Sequence, residues 1–422
     1  MTRLPVSGCL LSLALIGGSR CDEVHGSVST SKEKRICPVV SREISSAECG
    51  ESRHSRYACP EECPFNPYSA ANYDRLLELT DKVDALQSNW LSTQAKEHQR
   101  TREEVQRLGS EATMEQIGMI VFDTLHYRRD SEGLTMIQRW EKQGFPGLKN
   151  DQRFFARTRA AIRPGFLEIH QIIDDREVIA VDLLDPGSPE VRVVDRALAS
   201  RAVRFGTWLT WTYDMPHFRR THGATCQVNS IREFSPLEVL EITLAHLGCP
   251  VDVEERARWM AKRYLDVLDS LSAIGELRQR EAIIGRAGQG WHRPLVPPDP
   301  KLEALVAPRL RENPIQLEVQ TQRRVLDLED GSDVDLAVRM SLLRSWLNES
   351  IPALGGKTPR EASMDPTLRP MLVHLVKDQV RSFDEANLRA GTTGDMNWVL
   401  KDLSLDELIF PPPPWREAPQ SR

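Results

Sequence analysis

Of the eight cysteines in this 422-residue chain, four are crowded into one short stretch, ICPVVSREISSAECGESRHSRYACPEECPFNPYS. Cys37, Cys49, Cys59 and Cys63 follow a C-x11-C-x9-C-x3-C spacing. Cys37 and Cys59 precede proline and Cys49 precedes glycine, which suits tight knuckles that turn thiolates inward around a tetrahedral zinc ion. The stretch carries few core-sized apolar side chains, so a zinc held by four thiolates would supply stability that packing does not. Four thiolates leave no open coordination position, which points to a structural rather than a catalytic zinc. Two disulfides or free thiols are the alternatives, and His54 is a candidate substitute for one thiolate. Cys9, Cys21, Cys226 and Cys249 stand alone and apart.

The remaining chemistry-bearing residues are weaker signals. His217, His222 and Cys226 are spaced so that a second metal site, or a Cys226 nucleophile activated by His222, can be imagined. No helix N-terminus or third orienting residue supports that reading, and an ordinary pair of loop histidines beside a buried cysteine fits as well. Glu168 and His170 alternate onto one strand face, and with Asp182 and Asp185 they suggest a metal-nuclease site; carboxylates beside turns are usually solvated turn formers. Arg153, Arg157, Arg159 and Arg163 make a basic run that reads first as a solvated helix face. No catalytic residue is assigned, and no hydrolase or nuclease is inferred beyond these candidates around the β region.

A second stretch holds a shape rather than a chemistry: WLNESIPALGGKTPREASMDPTLRP, residues 346–370. Leu336, Met340, Leu343 and Leu347 predict a helix with one apolar stripe, and Ile351 before Pro352 ends it near Asn348. Gly355 and Gly356 allow positive φ, with Leu354 as the apolar anchor of the loop. Thr358-Pro359-Arg360-Glu361 predicts a capping box with proline at N1, Asp365-Pro366 repeats the device, and Leu368, Met371, Leu372, Leu375 and Phe383 follow at helical spacing. The line WLNESIPALGGKTPREA resembles the core of the toxin-binding domain of Xre/MbcA/ParS-type antitoxins. It is similar also to the C-terminal part of large bacterial proteins that often carry SEC-C zinc motifs. The resemblance implies a helical hairpin module that docks a protein partner, with Trp346, Leu354, Gly355, Gly356 and Lys357 as the partner-binding corner. The antitoxins' upstream helix-turn-helix region is replaced here by a proline-rich segment with Pro294, Pro297, Pro298 and Pro300, and the SEC-C cysteine cluster is absent. The cysteine stretch itself resembles C-P…C-G-x-x-R…C-P-x-x-C zinc-knuckle leaders of bacterial proteins. Many of those carry an extra cysteine where Ala47-Glu48 stand here.

These two stretches must be positioned by the rest of the chain. Its length suits two to three domains. Forty per cent hydrophobic and 27% charged residues are ordinary for a globular protein. The net charge of −6 does not point to a nucleic-acid partner, although one stays open through the knuckle and the Arg153–Arg163 run. No run is long enough for a membrane span. Residues 1–24 form either a weak signal-like leader or an extension from an upstream start; the reduced-thiol character of the next stretch favours the extension and a cytoplasmic protein, the leader a secreted or periplasmic one.

The expected fold is α+β, mostly helical. Its divisions are a leader over 1–35, the four-cysteine zinc knuckle over 36–68 and a helical region over 69–150 with a long polar helix at 73–108. A small antiparallel β module spans 151–232, in four or five strands closing into a barrel or a curled sheet. A helical hairpin over 233–285 comes next, then a Gly/Pro-rich linker over 286–300. The antitoxin-like helical module covers 301–390, and a C-terminal helix with a proline-rich tail covers 391–422. The function these elements suggest is that of a zinc-containing binding or regulatory protein with an unidentified protein partner.

Overall fold

A computed structural model describes residues 34–109, 113–230, 234–284, 340–341 and 343–414; the expected leader, the linker and the start of the C-terminal module lie outside the described residues. Strands β1 (Lys34–Cys37) and β2 (Arg42–Ser45) form a hairpin that runs into helix α1 (Ser46–Ser52). Helices α2 (Tyr73–Thr93), α3 (Ala95–Arg107), α4 (Met114–His126), α5 (Met136–Lys142) and α6 (Asn150–Ala160) follow. The long helix expected over 73–108 is therefore two. Ser92 and Thr93 donate their hydroxyls back to the carbonyls of Asn89 and Trp90, at 2.7 and 2.6 Å, and Gln94 leaves helical geometry with ψ of 73°. Hydroxyls that compete for helix carbonyls favour such a break. Thr113 and Thr135 open α4 and α5 with capping boxes to Gln116 and Gln138.

Five strands then close a barrel: β3 (Arg163–Ile172), β4 (Glu177–Asp182), β5 (Val191–Val194), β6 (Thr207–Asp214) and β7 (Arg219–Val228), with helix α7 (Arg196–Ala199) between β5 and β6. The order around the barrel is β3-β4-β5-β7-β6 and back to β3; every pairing is antiparallel except β5 with β7, which meet in parallel at Val193 and Arg219. That connectivity is the one of the five-stranded OB-type barrel. Strand β3 is long because it pairs on both sides, with β4 and with β6. It also approaches β6 closely: a Cβ on Gly165 would meet the Thr212 methyl at 2.8 Å, so only glycine fits. Leu167, Ile169, Val178, Ala180, Val193 and Trp208 fill one side of the strands. The opposite side, with Phe166, Trp211 and Tyr213, merges with the helices in the largest core, beside Tyr73, Trp140, Phe155 and Tyr264.

Helices α8 (Pro236–His246) and α9 (Val253–Ile284) complete that core. The Ser235–Glu238 capping box and Pro236 at N1 start α8. In the C-terminal module, 343–346 is helical, a 3-10 turn spans Pro352–Leu354, and α10 (Pro359–Ser363), α11 (Arg369–Ala390) and α12 (Asn397–Asp402) follow. Leu347, Leu354, Leu372, Val376, Val380 and Phe383 pack with Val399, Leu400 and Leu403, so residues beyond Gly391 share this core. One barrel residue joins it. Phe205, held at φ of 58° just before β6, inserts into the module. A bulky residue in the left-handed region persists only where its surroundings fix it. The chain is thus α+β and mostly helical, with a closed barrel at its centre.

Candidate functional site

The four clustered cysteines are brought together by three local devices. Strand β1 ends on Cys37, whose carbonyl accepts Ser41 N–H at 2.8 Å and so folds the chain back into β2. Ser45 caps α1 by accepting Glu48 N–H at 3.0 Å, and α1 carries Cys49 to the same side. The chain reverses again at His54, with φ of 50°, and the Pro60 carbonyl accepts Cys63 N–H at 3.3 Å, which turns Cys63 back towards Cys59. All four cysteines are buried, and none is in a disulfide. They line one cavity of about 10 Å³ together with Arg35, Ile44, Tyr57 and Phe65. A void of that size has room for about one small atom or ion. Among the described residues, no group of three or more His, Cys, Asp or Glu side chains is placed closely enough to hold a metal ion as it stands.

Burial pushes the Cys59 thiol up; the backbone of His54 and the Arg53 charge oppose this, and neighbouring Cys63 and Cys49 add to it. Arg53 is buried and donates to the Cys49 sulfur at 3.4 Å, and its other terminal nitrogen pairs with Asp151 of α6. On the outer side Arg42, Glu48 and Tyr57 form a network, with Arg42 to Glu48 at 2.5 Å and Tyr57 hydroxyl to Glu48 at 3.0 Å. His54 does not line the cavity. Its ring stacks on Phe154 with centroids 5.1 Å apart, and Nε2 lies 3.4 Å from Asn66 Oδ1, so it is engaged elsewhere than at a thiolate position. Burial lowers its affinity for a proton.

The knuckle sits on the barrel. His217, in the loop between β6 and β7, donates from Nε2 to the Cys59 carbonyl at 2.9 Å. Glu61 takes both hydrogen bonds from the Arg192 Nη1 of β5 at 2.7 and 2.6 Å, while Glu177 of β4 holds the other side of that guanidinium. Tyr68 donates its hydroxyl to the Asp151 carbonyl. In OB-type barrels the second and third strands and the loop before the last strand form the ligand face. Here that face meets the chain's own 59–73 segment.

The other candidate residues disperse. His217 is occupied by the knuckle, whereas His222 lies within β7 beside Phe122 and His126, and Cys226 is buried in the main core. No second metal site or activated thiol forms from these three. Desolvation lowers His222 to about 4, with the nearby Arg159 charge adding to the fall. Asp182 accepts Phe166 and Leu184 N–H at 3.0 and 3.2 Å and pairs with Arg219 at 3.1 Å, Asp185 is an exposed turn residue, and Glu168 pairs with Lys377 at 2.6 Å. These carboxylates stabilise turns and contacts and do not converge as a nuclease site. Nor is the basic run a free face: Arg159 is buried against Asp84 and Gln87, Arg157 pairs with Glu141 and Arg163 with Asp214.

At the C-terminal corner Trp346 and Leu354 are buried, leaving Gly355, Gly356 and Lys357 outward. Gly355 and Gly356 have φ of 65° and 82°, and the Thr358–Glu361 capping box with Pro359 at N1 forms as expected. Lys357 pairs with Asp365 at 2.7 Å, and Ile351 N–H donates to the Lys357 carbonyl at 3.0 Å, closing the loop. Three contacts that tie this module to the barrel have no counterpart in the sequence pattern. Arg204 holds Asp384 with two bonds of 2.7 and 2.9 Å, both side chains fully buried; Ser230 donates to Asp378 at 2.5 Å; and Gln227 donates to Glu385 at 2.9 Å. Only the arginine's burial could have hinted at the first, and sequence does not report burial.

No protein family matches the chain, and neither a curated protein nor a solved structure does so. No described helix is long and apolar enough to cross a membrane.

Proposed function

We propose that this chain is a zinc-containing binding or regulatory protein, in which Cys37, Cys49, Cys59 and Cys63 hold one structural zinc and the C-terminal module offers an antitoxin-like docking corner to a protein partner. The observation that supports the zinc is that four buried cysteines, none in a disulfide, line one small cavity. Thiolates at about 2.3 Å from zinc would fill the void and complete a tetrahedron. The closed sphere has no place for substrate, so the role is to fix the knuckle against the barrel. For the docking corner, the support is a rigid loop with a buried apolar anchor and an outward Gly355-Gly356-Lys357 edge.

A nucleic-acid reading draws on the OB-type connectivity. Two features weigh against it: Arg192 already holds Glu61, and the outward residues Glu177, Ile179, Val181 and Arg192 of β4 and β5 include no aromatic ring for base stacking. The test is metal analysis of the full chain purified under reducing, chelator-free conditions. One zinc per chain, lost in Cys59→Ser, is the expected outcome. Zinc-free protein with two disulfides would sink the reading.

A further inference from the structure

The arginine of the C-G-x-x-R pattern, Arg53, is not used by the zinc reading, and its surroundings explain why it is there. A zinc ion with four thiolates carries a double negative charge, and such a charge buried beside the main core is destabilising unless it is compensated. Two arginines approach these cysteines: Arg35 lines the cavity, and Arg53, outside its lining, reaches Cys49. Arg53 is buried, and it donates to Cys49 Sγ at 3.4 Å. Arg35 lines the cavity, with its guanidinium 4.2 Å from the Phe65 ring centre. Each has a buried Nε with no protein partner among the described residues. We infer that Arg53, seconded by Arg35, is the counter-charge of a dianionic tetrathiolate centre, and this rests on the zinc reading above.

Geometry gives Arg53 that position. It is the C-cap residue of α1, four residues after Cys49, and its N–H donates to the Cys49 carbonyl at 3.1 Å. One helical turn therefore sets guanidinium and sulfur on the same side. The pairing with Asp151 holds the side chain in place from α6. Arg53 is thus a positioning residue for the centre, through charge and a hydrogen bond to a ligand sulfur, and it links the centre to the barrel's helices.

The experiment is a zinc competition titration on the full chain with a chromogenic chelator, joined to the absorption spectrum of the cobalt(II)-substituted protein. Arg53→Met is expected to weaken zinc retention about 10-fold or more, the usual range for partners of metal ligands, and Arg53→Lys to recover most of it. Arg35→Met is expected to show a smaller loss, of about threefold on the same scale. Asp151→Asn separates charge from tether: it breaks the ion pair but keeps the guanidinium, so zinc retention should stay within about threefold of the parent protein. Cys249→Ser, remote from the cavity, is the unaffected control.

Zinc retention unchanged in Arg53→Met overturns the inference, as does an Asp151→Asn loss as large as that of Arg53→Met. If Arg53→Met does not fold, Arg53→Lys and Arg35→Met decide: parent-like retention in Arg35→Met together with loss in Arg53→Lys overturns it. A parent protein that takes up neither zinc nor cobalt fails at the earlier step, and that result is recognisable before any arginine variant is made.

Discussion

The knuckle and the C-terminal module both lean on the barrel, yet they are held together differently. The knuckle's own buried cluster is Cys37, Ile44 and Cys49, with Val40, Tyr57 and Phe65 against it. Its thiols occupy positions where a self-sufficient domain would place leucines. The module has a continuous apolar core from Leu343 to Leu408, and it even borrows Phe205 from the barrel. Each seam uses a buried arginine: Arg53 to Asp151 on one side, Arg204 to Asp384 on the other. With zinc bound as proposed, the difference teaches that one appendage depends on chemistry at its centre, whereas the other depends on apolar area and uses polar groups mainly to fix its seat.

The largest expected effect tests that contrast directly. Removing zinc, or Cys59→Ser, should free residues 34–69 to exchange their amides while the module stays protected, because binding energy on the order of 10 kcal/mol is lost only in the knuckle. Hydrogen exchange resolved by segment reads this; equal deprotection of residues 343–410 would break the comparison.

Next comes the module's seat. Asp384→Ala leaves the Arg204 guanidinium buried without its main partner and should cost about 3–5 kcal/mol in denaturant unfolding. The paired change Arg204→Met with Asp384→Leu should cost clearly less, since an apolar pair needs no compensation. If the double variant is as unstable as the single one, the seat depends on polar geometry after all.

Within the module, Gly356→Val should cost about 1–3 kcal/mol. A Cβ there would meet only Ser350 Oγ at 3.7 Å, so the cost comes from φ of 82° and not from crowding. A thermal melt of the variant measures it, and Gly356→Asn, which tolerates this region, should recover part of the loss.

The seam should also respond to pH. His170 is bridged by Glu168 at 3.1 Å and Glu190 at 2.7 Å, with Lys377, Phe205 and Phe410 packed around it. Burial opposes its protonation, but the two carboxylates outweigh burial and raise its pKa. A histidine raised on folding stabilises fully below its unfolded value of about 6.5, and that contribution fades as pH rises through the folded value. Melting points compared between the parent and His170→Gln should therefore diverge below pH 6.5 and converge at high pH. A gap that widens on the alkaline side would contradict the bridge.

The smallest effect on stability is expected at Lys357→Glu. Its partner Asp365 is a solvent-screened carboxylate, and such exposed pairs contribute little to stability. Partner capture by the Gly355–Lys357 edge should fall nonetheless. Unchanged capture of every partner would leave the corner as a structural turn alone.

Features decided within a few residues were legible in the sequence. The capping boxes at Ser235 and Thr358, the positive φ at Gly355 and Gly356, and the grouping of the four cysteines all follow from local geometry. What sequence could not give is which distant groups meet. Strand order, with β5 meeting β7 in parallel, depends on pairings across long loops. Arg204 and Asp384, 180 residues apart, become partners only when the module seats on the barrel. Arg53 reads as one more charged residue until folding buries it beside a sulfur and a carboxylate. Desolvation is a property of the assembled structure, and it alone turns an ordinary surface-type side chain into one that must be paired.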